Sequence, residues 1–260
     1  MEEKPKISNI LLKELKEATS DFKTIITSYS EKEKTYITLA CEEVEKPRLV
    51  FVIGDAVSDI VSTFFKLDFI EKNLKLPIQN KENINAFKKA LIAFDRETDK
   101  YIITRALHFR NKIFIDSFYQ FRLKALRSKW LEIIKLANDN AGYLLCNDTF
   151  VELLKFLIEN IEISRGIVNV VKKEEDFVLC DEEFKRIDNN ECLLFQLDEK
   201  NEFNLIASLI ALSPKKINVY CNAFENNPII TLVSQIFEKR VSIMPAGKWF
   251  LILISKWLQL

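Results

Sequence analysis

The chain has 260 residues, 48% of them apolar, which is enough for one large domain or two small ones and too apolar for wholesale disorder. Its 38 basic and 38 acidic residues cancel, so no global field favours nucleic acid or an anionic membrane, and any such surface must be local. Four glycines, one histidine and five cysteines without a CxxC pair exclude the dinucleotide fingerprint, the Walker A loop and a two-histidine zinc site built within one chain.

The first residues, MEEKPKISNILLKELKE, are too charged for a secretory signal, and residues 7–18 have the spacing of a short helix. Residues 22–29 and 35–41 are rich in Thr, Ile and Tyr around a polar SEKEK, which predicts a β-hairpin. Pro47 suits the first turn of a helix over 48–66. The apolar run 49–69 is interrupted by Asp55, Asp59 and Asp68, so a buried soluble helix is expected rather than a lipid-spanning one. Pro77 and QNKEN close this region. Residues 86–94 and 101–109 follow as two shorter helical patches, with DRETD between them as a kink or an exposed turn.

The organising stretch is 112–137, KIFIDSFYQFRLKALRSKWLEIIKLA. Tyr119, Leu123, Leu126, Trp130, Ile133 and Ala137 recur at spacings of four and three, which predicts one long amphipathic helix with Ile134 widening its face. Phe118, Phe121 and Leu136 lie off that face, which suggests cover on more than one side. Its start is expected near Asp116 and its end at 138–142, with Gly142 in a left-handed position. Thr149 and Glu152 have capping-box spacing at the start of the next helix, Gly166 lies just past its end, and the two helices are expected to form an antiparallel pair.

After Gly166 the texture changes. Residues 167–171 and 177–180 predict a second hairpin, 192–197 a strand, and 203–212 a helix stopped by Pro214. Residues 217–221, a helix opened by Pro228, and 241–244 form a β-α-β unit whose strands should be parallel. The fold class expected is α+β: a mostly helical first two-thirds with an early β-hairpin, then a small α/β module. The natural division is 1–165 and 166–260, as two domains or as one continuous unit.

Two segments then look familiar. DSFYQFRLKALRSKWLEII with FVELLKFLIE resembles the YtxC-like family of sporulation proteins from endospore-forming bacteria, whose pattern runs G/S-F-x-x-F-R-L-K into a short helix. LIASLIALSPKKINVY resembles the same family's L-x-S-x-L-I-x-L-x-P-K-K-I run before a strand. The resemblance covers roughly 100–244 and implies a cytoplasmic protein of a spore former with no established reaction. Neither motif is chemical. This chain's tail, PAGKWFLILISKWLQL, has no cysteine, so no metal or redox role is borrowed from relatives with a cysteine-containing end.

Candidate functional residues are few. Residues 100–135 carry nine basic residues against two acidic ones, while 174–202 carry eleven acidic against three basic. The basic stretch is either a polyanion surface using Arg122 and Arg127, or a face paired internally with the acidic segment; the second reading is preferred. Lys215 and Lys216 at a helix-to-strand turn either bind an anion or flank a strand. His108 is expected to be structural, and the runs 174–176 and 181–183 to be solvated charge rather than a cation site. Cys41, Cys146, Cys180, Cys192 and Cys221 are expected as reduced, mostly buried thiols. The tail WFLILISKWLQL docks on the body, meets a second copy or touches a membrane interface.

No catalytic residue and no cofactor is named. The expected function is non-enzymatic, through an unknown protein partner in a sporulation programme. The alternative is a nucleic-acid-associated protein using 100–135. An enzyme with carboxylates in a cleft is a third reading, for which no residue pair can be named.

Overall fold

A computed structural model describes residues 7–32, 34–76, 81–108, 112–143, 149–173, 176–187, 203–221 and 227–245. The chain is α+β and divides into two compact units: residues 1–72 with 96–132, and residues 73–95 with 133–260.

In the first unit, helix α1 (Ile7–Ala18) buries Leu11 and Leu15, one turn apart, and packs on α2 (Lys46–Ile60). Strands β1 (Thr24–Glu31) and β2 (Lys34–Cys41) pair antiparallel from Thr24–Cys41 to Glu31–Lys34. The β-branched and aromatic residues make this ribbon, and Tyr29 stacks on its directly opposed partner Tyr36 at 4.8 Å. Lys32 turns the chain with a φ of 57°.

Pro47 lies in the first turn of α2, where its missing N–H costs nothing. The helix runs beyond the expected residue 66. A π-helical turn, Val61–Phe65, joins it to α3 (Lys66–Asn73). Helix α5 (Arg96–Ala106) packs on α2. The core of this unit holds Val57, Val61, Ile103, Leu107, Phe118, Leu123, Leu126 and Trp130.

The expected single helix over 112–137 is two helices. Helix α6 (Ile115–Arg122) ends at Leu123, whose backbone (φ −101°, ψ 29°) is not helical, and α7 (Lys124–Tyr143) follows. Leu123, Leu126, Trp130, Ile134 and Ala137 are buried as the spacing requires, and Tyr119 and Ile133 are half-buried. Phe118 is buried off that face, but Phe121 and Leu136 are exposed, so cover on a second side is local. Phe114 precedes α6 without a side-chain cap, and Asp116 sits inside the first turn. The second helix runs through 138–142 rather than ending there.

In the second unit, α4 (Lys81–Ala93) packs on α9 (Phe203–Leu212) and on α8 (Thr149–Glu159), and α8 packs on α10 (Pro228–Phe237). A mixed sheet has the order β4-β3-β5-β6. Strand β3 (Arg165–Lys173) pairs antiparallel with β4 (Asp176–Cys180) and parallel with β5 (Pro214–Cys221). Strand β5 pairs parallel with β6 (Val241–Pro245), as expected of the β-α-β unit. Residues 217–221 of β5 are buried without alternation, as in a central strand covered on both faces. The chain turns from α9 into β5 at Ser213, with a φ of 38°, just before Pro214.

Gly166 lies inside β3 rather than past a helix end. The Glu182 carboxylate fills the space a Cβ would need, and it accepts a hydrogen bond from the Ile167 amide at 3.0 Å. Helix α8 begins at Thr149, and Glu152 pairs with Lys155 at 3.2 Å. The expected strand 192–197, Cys146, Cys192 and the tail 246–260 lie outside the described residues. Among the described residues, no helix is long and apolar enough to cross a membrane.

Candidate functional site

A cluster of buried and half-buried ionisable groups lies in the first unit, where charged residues punctuate otherwise apolar helices. Within the run 46–73, Asp55, Asp59 and Lys66 stand at intervals of four and seven. The π turn falls between Asp59 and Lys66, with Ser58, Ser62 and Thr63 buried around it. On α5, Asp99 and Lys100 stand three and four residues after Arg96, so the three share one face. The segment expected as a kink or an exposed turn, DRETD, is therefore corrected. Phe94 and Asp95 make the turn, and Arg96 and Asp99 are buried in the helix that follows.

The inner half of the cluster centres on Asp99. Its side chain is 1% exposed and that of Lys66 is 4% exposed, with Lys66 Nζ at 2.7 Å from Asp99 Oδ2. Trp130 Nε1 donates to the same oxygen at 2.8 Å, and Lys129 Nζ lies 3.5 Å from Oδ1. The Lys66 ammonium also lies 5.6 Å from the Trp130 ring centroid. One carboxylate thus ties α3, α5 and α7 together through charge-assisted hydrogen bonds.

The outer half centres on Asp59. Arg96 Nη2 reaches Asp59 Oδ1 at 2.5 Å and Lys100 Nζ reaches it at 2.9 Å. Lys100 also bridges to Asp55 at 3.1 Å. Burial raises the pKa of Asp59 against the pull of both cations. Burial opposes the Lys100 ammonium, but Asp59 and Asp55 outweigh it and raise the Lys100 pKa. Glu14 of α1 faces this group. Burial, then Asp59 and Asp55, push its carboxyl up to about 7, with Arg96 and Lys100 pulling the other way.

The residues expected to meet a partner or an anion fall outside this cluster. Arg122 is exposed at the end of α6. Arg127 donates from Nη2 to the Gln120 carbonyl at 2.7 Å and stacks over Tyr119 at 5.2 Å, which closes the α6–α7 elbow. Lys215 and Lys216 are exposed in the first residues of β5, so they belong to the strand rather than to a turn. His108 is exposed beyond the end of α5.

The basic stretch is in part internally matched, by carboxylates outside the acidic segment 174–202. Lys100 is held by Asp55 and Asp59, and Lys129 by Asp99. Much of the acidic segment 174–202 lies outside the described residues. Where it is described, Asp181 and Glu182 accept from backbone amides and Glu183 pairs with Lys185 at 2.7 Å. Asp181 Oδ1 accepts from the amides of Glu183 and Lys185 at 2.9 Å each. Among the described residues, no group of three or more His, Cys, Asp or Glu could hold a metal ion. Cys180 and Cys221 are buried, and burial with Asp181 raises the Cys180 thiol, which disfavours the reactive thiolate.

Residues 59–242 match the model of the YtxC-like family, a span that includes Asp59, Lys66, Arg96, Asp99, Lys100 and Trp130. No curated protein and no solved structure matches the chain.

Proposed function

The chain belongs to the YtxC-like family, and from that premise we propose that it is a non-enzymatic, cytoplasmic protein that acts in sporulation by holding a protein partner. The observation that supports this reading is the division of labour within the stretch SFYQFRLK. Phe118 and Leu123 anchor it in the core, while Phe121, at 68% exposure, stands in solvent beside Arg122 and Lys124. Phe114, 53% exposed, stands just before the first residue of α6, seven residues ahead of Phe121. Aromatic and arginine side chains are the types that most often carry interface energy. The buried charges nearby are engaged with one another, which suits a rigid support more than a reacting group.

A photo-cross-linking residue at position 121, with exposed Lys16 as the control position, tests the proposal in extracts of sporulating cells. A discrete adduct is expected at 121 and not at 16. Arg122→Glu should weaken it several-fold while leaving unfolding unchanged within about 0.5 kcal/mol, as for most surface substitutions. Equal labelling at both positions, or none, would remove the proposal.

A second reading, contact with nucleic acid, draws on Lys112, Arg122 and Lys124, which are exposed, but Lys100 and Lys129 are already engaged by carboxylates. It predicts DNA or RNA affinity that falls steeply with salt, with log K against log salt sloping by about −0.9 per phosphate neutralised on duplex DNA and about −0.7 on single strands. A flat response in a salt series ends it.

A further inference from the structure

We infer that α1 is seated on α2 by a proton-dependent latch, in which protonated Glu14 completes the Asp55–Asp59–Arg96–Lys100 cluster and its ionisation loosens the helix. The charge balance points there first. Asp55 and Asp59 on α2 are matched by Lys100 and Arg96 on α5, through ion pairs of 2.5, 2.9 and 3.1 Å. Glu14 brings a third carboxylate to two cations that are already engaged. Its Oε2 is buried and has no hydrogen-bond partner. An ionised carboxylate in that position forfeits hydration without a compensating bond, whereas the protonated acid leaves the cluster neutral.

The groups facing Glu14 are Asp55 and Asp59 from α2 and Arg96 and Lys100 from α5. On α1 itself, Lys13 and Glu17 pair with each other in solvent at 3.8 Å, and Lys16 is exposed. Nothing on α1 therefore adds a third buried cation. The apolar hold on α2 comes mainly from Leu11 and Leu15, which flank Glu14 along the helix and are buried. A helix of 12 residues is marginal by itself in water, so loss of docking means loss of the helix as well.

The sign follows from linkage. Glu14 has a folded-state pKa of about 7 against an ordinary 4.5, so its share of the docking stability is fully present below 4.5 and is lost as pH rises through 7. The upward direction at Asp59 acts with the same sign. Between pH 6 and pH 8 the docked state is expected to lose about tenfold in its equilibrium constant.

Hydrogen exchange on the full chain, corrected for the intrinsic rate, reads this at the amides of residues 7–18. Their protection should fall about tenfold from pH 6 to pH 8, with little change in Glu14→Gln, which keeps the shape and removes the titration. Carbon NMR of the Glu14 carboxyl gives a variant-independent check, with an expected midpoint near 7. A midpoint near the ordinary glutamate value, or the same loss of protection in Glu14→Gln, would overturn the inference.

Discussion

Asp99→Ala is expected to destabilise the chain by about 3–5 kcal/mol, the range for removing one partner of a buried ion pair. Asp99 Oδ2 receives both Lys66 Nζ and Trp130 Nε1, so the substitution takes the shared carboxylate oxygen away from a buried ammonium and a buried indole N–H. Attraction is the smaller part of the loss. The larger part is the desolvation of Lys66, whose side chain is 4% exposed and has no route back to solvent while the helices stay packed. Asp99→Asn separates the two contributions. The amide oxygen can still accept from Trp130, while the charge that balances Lys66 is gone, so a loss near that of alanine assigns the effect to charge. A loss of about 1 kcal/mol assigns it to hydrogen bonding. Urea unfolding of the three proteins at one pH measures this. A fold of ordinary stability has about 5–15 kcal/mol in total, so the alanine variant should be recovered, if at all, as a marginally stable protein.

The cluster shows where a single sequence stops informing. Ile7–Ala18 and Phe203–Leu212 are legible to the residue because their apolar period and their stops, TSD and Pro214, are local. The parallel pairing of β5 with β6 follows from the intervening helix alone. The break at Leu123 is not legible. No glycine or proline marks it, and the apolar period continues through it in phase. Its cause is tertiary: Phe118 and Leu123 both enter the core, and Arg127 closes the elbow on the Gln120 carbonyl.

The buried charges were half legible. Asp55 and Asp59 stand out in the apolar run 49–69, where they weigh against a membrane helix. The same observation carries a second consequence, that ionisable groups in a buried run need partners. The partners Arg96 and Lys100 lie about forty residues away in DRETDK, a segment whose composition reads as solvated turn. Composition ranks such residues as exposed because most are; only the pairing in space makes these buried. The basic segment 100–135 illustrates the same limit. Internal matching of its charge is correct for Lys100 and Lys129, but the partners are Asp55, Asp59 and Asp99.

Trp130→Ala should cost about 3–5 kcal/mol as well, for a different physical reason. Trp130 is 1% exposed and is the largest fully buried side chain among the described residues. Phe69 meets it edge-on at 5.9 Å and Tyr119 lies at 6.5 Å, so its removal opens a void lined by rings that cannot collapse without leaving their own contacts. Trp130→Phe retains most of that volume and removes the indole N–H. Asp99 keeps Lys66 as a partner, so this variant should lose only about 1–2 kcal/mol. The cost should therefore rank alanine well above phenylalanine if packing dominates, and bring them together if the hydrogen bond to Asp99 dominates. Combining Trp130→Phe with Asp99→Asn decides between additive and shared effects. The two residues touch, so their double-mutant cycle should show a coupling of about 0.5–3 kcal/mol. Additivity within 0.3 kcal/mol would mean that Trp130 and Asp99 stabilise the unit independently, and that the charge cluster and the apolar core are two separate supports rather than one.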